Sequence, residues 1–335
     1  MRLFPIYILL TICCISCFPV DKAVAPYDRT GLITGVIDIT PTYSQQAFYN
    51  LQTNSIVRQE DFSFWDLSFD CTSDSLGVYL NSAQLMGVYK VESSSFETVS
   101  NDTTFFANKW KYDSPSGYID SSAIGKWWGS VSNNQVITKG EYFVTTLGVD
   151  SKGNSLGVKK FTLLNADLTQ YKIRFANLNG TEDTIMTIQK DSMYNVVGLS
   201  LLNKQVVYPE PPKNDWDLLL SRYTQLFIIF EEFPYPVTGV LINKSKIKAL
   251  LDTIVDFRTI SRTSFSEMSF TNRKDVIGYD WKTFDFTASA FLVLPNKTYV
   301  IKTNSNQYYK LFFSDFYDSK TGSKGVIQFQ YETIQ

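Results

Sequence analysis

Three landmarks occur twice in this chain, in the same order. Trp65-Asp66-Leu67 returns as Trp216-Asp217-Leu218, an offset of 151. Ile124-Gly125 followed by Trp128 returns as Ile277-Gly278 followed by Trp281, an offset of 153. "YKIRFANLNG", from Tyr171, returns as "YKLFFSDFYD", from Tyr309, an offset of 138. Solenoid repeats are far shorter, so a period of this size marks duplication of a whole domain. The 335 residues suffice for two domains of roughly 150 residues each. The expected division is 43–190 and 195–335, with the seam near 190–196.

Within each copy the hydrophobic period is two. Ile327, Phe329, Tyr331 and Thr333 alternate with Gln328, Gln330 and Glu332, which predicts a strand with one packed and one wet face. "TYVIKTNSNQYYKLFFSDF" predicts a hairpin turning at Asn-Ser-Asn-Gln, and "EYFVTTLGVDSKGNSLGVKKFTLL" a second with a Gly-rich loop. Apolar residues make up 44% and aromatics 15%, the latter mostly Phe and Tyr, which favour strands. One stretch follows a helical period: in "NKSKIKALLDTIVDF", Ile247, Leu250, Leu251, Ile254 and Val255 fall on one face and Asn243 can cap it. The expected class is mainly β: two tandem antiparallel β-sheet domains with one or two short helices.

The first 17 residues read as a processing segment. Arg2 precedes an apolar run from about Leu3 to Ile12, shorter than a membrane span and right for a signal peptide. It ends in Ile15-Ser16-Cys17, the ending of a bacterial lipoprotein signal, which predicts cleavage before Cys17 and acylation of its thiol. Residues 18–42, with Pro19, Pro26 and Pro41, are expected to be a tether. Cys13 and Cys14 leave with the signal, so Cys71 stays alone and is expected to be a small buried hydrophobe. No later segment is apolar for long enough to span a bilayer.

Lys plus Arg (31) nearly balances Asp plus Glu (33), so charge gives no reason to expect nucleic acid. The chain has no histidine, which removes Ser-His and Cys-His catalysis and zinc hydrolysis. Gly153-Asn154-Ser155-Leu156-Gly157 matches a nucleophile elbow in letters only, because its flanks read as two strands. The expected role is non-catalytic. Trp-Asp reads as a packing landmark, the Asp accepting strand-end hydrogen bonds. Adjacent Trp127 and Trp128 point to opposite faces of a strand, so one can offer a stacking surface.

The second copy resembles the HmuY family of haem-binding surface lipoproteins from Bacteroidetes. "NDWDLLLSRY", "VTGVLIN", Trp281 and "TYVIKTNSNQYYKLFFSDFYDSKTGSKGVIQFQY" carry the resemblance over 195–335. "AFYNLQTNSIV", "WDLSF", "GVYLN" and "YKIRF" carry it more loosely over 43–190. The resemblance implies an outer-membrane, lipid-anchored protein that binds haem or another porphyrin between finger-like strands. It also implies delivery to a TonB-dependent transporter. Members clamp the iron with two histidines or methionines. Here Phe286 stands closest to the later ligand's place, and Phe cannot donate to iron. Iron also accepts Met or Tyr. Met186 reads as core and Met193 lies at the seam, which leaves Met86 and Met268 as candidate metal ligands and Tyr279 as an oxygen alternative. The other reading is a surface module that keeps the fold without iron ligation and binds glycan or protein.

Overall fold

Alternating apolar residues build sheets from end to end of the computed structural model, which describes residues 31–72, 75–99, 101–102, 106, 109–228 and 232–334. Residues 1–17, with Cys17, and most of the expected tether lie outside these. The chain is mainly β, as its periodicity predicts, and the described helical segments are single 3-10 turns. No described helix is long and apolar enough to cross a membrane.

Two antiparallel sheets form the large surfaces. One has five strands, in the order Ile33–Asp38, Lys324–Ile334, Tyr308–Tyr317, Thr298–Thr303 and Ile247–Asp252. The other has seven and is built around Val158–Asp167, Gln170–Asn177 and Tyr142–Thr146. Both predicted hairpins are present, with Tyr299 paired to Leu311 and Val158 to Thr146. Each large sheet covers its own core. Trp281, Tyr299, Leu311, Phe329 and Tyr331 fill one; Trp127, Phe143, Phe161, Tyr171 and Phe175 fill the other. Cys71 lies buried in the core that holds Trp127 and Phe143, hereafter the first core, where burial raises its thiol pKa.

Two four-stranded sheets each combine strands from the first and second halves of the chain. The hairpin Gln45–Asn50/Ser55–Asp61 pairs with Leu218–Ile228 of the second copy, Tyr49 opposite Leu218 and Ala47 opposite Leu220. The hairpin Val196–Ser200/Gln205–Val207 pairs with Leu67–Asp70 of the first, Leu199 opposite Leu67 and Val197 opposite Phe69. Each half of the chain thus supplies a hairpin to a strand of the other. The repeated Asp secures each exchange: Asp217 Oδ2 accepts from Leu51 N at 2.8 Å, and Asp66 Oδ2 from Leu201 N at 2.6 Å. A matching amide supports each Trp-Asp turn. Asn81 Nδ2 donates to the Phe62 and Trp65 carbonyls, and Asn243 Nδ2 to those of Lys213 and Trp216.

Two expectations are corrected. The helix from Asn243 is instead the strand Ile247–Asp252, paired with Thr298–Thr303. Ile247 and Ala249 face one core, while Leu250 faces a small cluster on the sheet's outer side that includes Ile260 and Phe265. Burial on both faces placed apolar residues at helical spacing on a strand. Asn243 caps no helix. The span read as a tether to residue 42 contributes Ile33–Asp38, the edge strand of the five-stranded sheet, with Ile37 buried in its core.

Candidate functional site

The strands after the two Trp-Asp pairs differ in length. Leu67–Asp70 is short, whereas Leu218–Ile228 continues as a paired ribbon with Glu232–Ile242. Beyond Tyr223 and Val237 this ribbon leaves the core, and Ile228, Phe233 and Tyr235 are exposed. Phe227 stands directly opposite Phe233, and Gln225 opposite Tyr235, so these four share one face of an aromatic arm. Pro234 and Pro236 are tolerated because their strand lies at the sheet edge.

A second arm is the hairpin Lys282–Asp285/Ala290–Val293, in which Phe284 pairs with Phe291 and Phe286 projects at the turn. Phe284 meets Phe286 at 5.1 Å and Phe291 at 5.2 Å; Phe291 meets Phe316 at 5.2 Å, and Phe316 meets Tyr43 at 5.9 Å. Tyr43 ends this series. Its phenol pKa is pushed up to about 12, first by burial and then by the neighbouring Tyr317 and Tyr235 hydroxyls. The Tyr317 hydroxyl accepts from Phe291 N at 2.7 Å, and Lys282 Nζ donates to the Thr238 carbonyl at 2.6 Å, tying one arm's root to the other's strand.

Tyr279 sits at the base of the first arm, 5.8 Å from Phe227, and its phenol pKa is raised, chiefly by burial. Close backbone approach holds it there. Val240 and Gly278 exchange hydrogen bonds, and a Cβ on Gly239 would lie 2.3 Å from the Gly278 carbonyl oxygen and 2.9 Å from Tyr279 Cα. Gly278 itself has φ +68°, a left-handed conformation suited to glycine.

The other candidates are scattered. Met86 is 1% exposed inside the first core, and Met268 is 94% exposed on a 3-10 turn beside Glu267. Neither joins the aromatic arms. Met186 packs against the first core and Met193 is exposed. Trp127 is enclosed and donates Nε1–H to the Leu76 carbonyl at 2.9 Å. Trp128 is half-buried and meets Trp127 edge-on at 5.8 Å, with the Lys126 ammonium 5.9 Å from its ring. Ser155 lies in a hairpin loop, not at an elbow. Among the described residues no three of His, Cys, Asp and Glu gather to hold a metal ion. Sequence reasoning missed Tyr43, Phe227, Phe233 and Tyr235. The available signal was the aromatic run continuing past the last position that the core can bury.

Comparison with known proteins gives a family. No curated protein matches the chain. Among solved structures, apo PinO from Porphyromonas gingivitis is 10% identical, with 91% of this chain and 98% of that one covered and a TM-score of 0.36. The apo HmuY analogue of Tannerella forsythia is 11% identical, with 91% and 96% covered and a TM-score of 0.24. A Bacteroides vulgatus protein described as HmuY-like and haem-binding is 11% identical, with 90% and 92% covered and a TM-score of 0.23. Assignment rests on the family model instead: the HmuY protein model matches residues 42–331, nearly the whole described chain, and the protein belongs to the HmuY family.

Proposed function

We propose that the two aromatic arms of the second copy hold haem or a related tetrapyrrole as cargo. The observation that carries this reading is a pair of ring series, Tyr279, Phe227, Tyr235 and Phe233 on the first arm and Phe286, Phe284, Phe291, Phe316 and Tyr43 on the second. Exposed Phe233 and Tyr235 on one hairpin and Phe284 and Phe286 on the other offer an apolar binding surface. Flat aromatic walls suit a porphyrin face, and the Lys324 ammonium, 5.3 Å from the Tyr43 ring, supplies a cation for a propionate. Of the phenols on this surface, Tyr279 is the candidate oxygen donor, and it would lose its proton to bind ferric iron. Met268 is a thioether that iron reaches from solvent, whereas Met86 requires the first core to open.

In the same reading Cys17 carries the lipid, the outer membrane holds the chain, and a TonB-dependent transporter receives the cargo. The protein is a carrier and not an enzyme. Titration with haemin is the test: binding sharpens the Soret band, and Tyr279→Phe alters its position if the phenolate ligates. Phe227→Ala removes one stacking wall and weakens binding about tenfold, as expected for loss of one aromatic contact. A spectrum that stays that of free haem in the parent protein overturns the reading.

A further inference from the structure

Among the described residues, the aromatic arms carry oxygen donors and no soft ones. The chain has no histidine. Cys71 and Met86 are enclosed in the first core, and Met186 packs against it. Met193 is exposed on a turn. Met268 stands beside Glu267, which accepts from Tyr308 Oη at 2.6 Å and Lys302 Nζ at 2.7 Å, next to the outer-side cluster of the five-stranded sheet. Three carboxylates carried by the arms and their roots are already engaged. Asp285 Oδ1 accepts from Thr287 N at 2.8 Å, Asp315 Oδ1 from Phe316 N at 2.7 Å, and Asp280 Oδ2 from Lys297 Nζ at 2.6 Å. Glu232 stands at the exposed far end of the ribbon. A metal held between the arms therefore meets phenols first.

The phenols differ in readiness. The Tyr317 hydroxyl is occupied by Phe291 N, and those of Tyr223 and Tyr299 are enclosed. Tyr235 rides on the projecting ribbon at 53% exposure. Tyr279 is fixed at the ribbon's base and half-buried, and its hydroxyl is neither enclosed nor hydrogen-bonded to a described residue. A phenol binds metal well only as phenolate. Burial, and then the Asp280 carboxylate, raise the Tyr279 pKa, so water alone leaves its proton in place. A porphyrin dianion leaves a net positive charge on a ferric centre and none on a ferrous one. The ferric centre therefore offsets the cost of a half-buried phenolate, and the ferrous centre does not. In the ferric case the phenol passes its proton to water, and its oxygen replaces the water molecule on the iron. Adding one electron to the bound iron reverses this: the Fe–O bond breaks and the phenolate takes a proton back from water. Resting on the carrier reading above, we infer that the arms select tetrapyrroles bearing a trivalent metal and release haem when a one-electron reductant makes its iron ferrous.

Anaerobic absorbance titration of the purified full chain tests this with haemin, dithionite-reduced haem, gallium(III) protoporphyrin and zinc(II) protoporphyrin. Haemin and the gallium complex bind at least tenfold more tightly than reduced haem and the zinc complex. Dithionite leaves the gallium affinity unchanged, because gallium(III) does not accept the electron, which separates loss of charge on the metal from damage to the protein. Tyr279→Phe keeps the ring and lowers the ferric and gallium affinities to the level of the ferrous and zinc ones. The comparison of gallium with zinc in the parent protein decides the matter even if that variant fails to fold. Reduced haem or the zinc complex binding as tightly as haemin overturns the inference and leaves the carrier reading standing. So does a trivalent preference that survives Tyr279→Phe, or one lost in Tyr235→Phe instead. Failure of all four to bind overturns the carrier reading and the inference together.

Discussion

Asp217 Oδ2 accepts the backbone N–H of Leu51 at 2.8 Å, joining positions 166 residues apart. Its other oxygen pairs with Lys246 Nζ at 2.9 Å, and the carboxylate is 97% withdrawn from solvent. The contact pins a first-copy hairpin to a second-copy strand. Removing it leaves a buried donor and a cation without their partner, so Asp217→Ala should lower stability by about 3 kcal/mol. Asp66→Ala, the equivalent change, should act in the same direction by exposing Leu201 N. Urea midpoints of both variants measure this. Little change in either shows that the hairpins are held by strand pairing alone.

The exchange of hairpins makes a second prediction, about fragments. Residues 208–335 alone lack the hairpin that covers Leu218–Leu220, leaving an unpaired edge beside an apolar core. That fragment should be insoluble or oligomeric. Appending residues 31–61 in a permuted chain restores both the hairpin and the edge strand Ile33–Asp38, and should give a folded monomer. Size-exclusion chromatography of the two forms decides it.

Gly239→Ala tests how Tyr279 is placed. The new methyl lands on the Gly278 carbonyl and the Tyr279 backbone, neither of which is a flexible side-chain end. Overpacking of this kind costs about 1–3 kcal/mol. The same displacement should weaken haem binding more than Phe286→Ala, which touches only the exposed tip. Thermal melts and haem titration of the two variants separate placement from stacking.

Lys282 gives a pH dependence. It is enclosed by Trp281, Phe316 and Phe291, with its ammonium bonded to the Thr238 carbonyl, and burial lowers its pKa from the ordinary 10.5 to about 7. Between those values the unfolded chain holds a proton that the folded chain has released. Stability therefore rises as pH increases from about 7 towards 10, and is flat on this account below pH 7. The gain is about 5 kcal/mol at full extent. Lys282→Met should remove the slope and leave the protein at least as stable at pH 7. Urea midpoints at pH 7 and pH 9.5 read it.

The sequence shows the modules more clearly than their assembly. Alternation at Ile327, Phe329 and Tyr331 gave a strand that faces its core as expected, because one side meets water and the other does not. Ile247–Asp252 was misread because an outer cluster buries Leu250 as well, erasing the period of two. A repeat states that Trp-Asp-Leu recurs; it does not state which copy's hairpin covers which strand. The aromatic arm was visible as "LFIIFEEFPYP" and went unread, since only the fold shows that the core ends near Tyr223.

The methionines give the last prediction, because their burial separates two effects that haem titration alone confuses. Met86 packs among Leu80, Val88 and Leu147 in the first core, so Met86→Ala leaves a cavity and should cost about 2–5 kcal/mol whatever the ligand. Met268, at 94% exposure, should cost less than about 0.5 kcal/mol when truncated to Ala. A changed Soret band in Met268→Ala at unchanged stability can therefore come only from the iron's surroundings. The same change in Met86→Ala counts as ligation only if it persists at a temperature where the variant is fully folded. If Tyr279→Phe shifts the band and Met268→Ala does not, the phenolate holds the iron. The reverse result moves the ligand to the turn at Glu267–Ser269 and away from the aromatic arms.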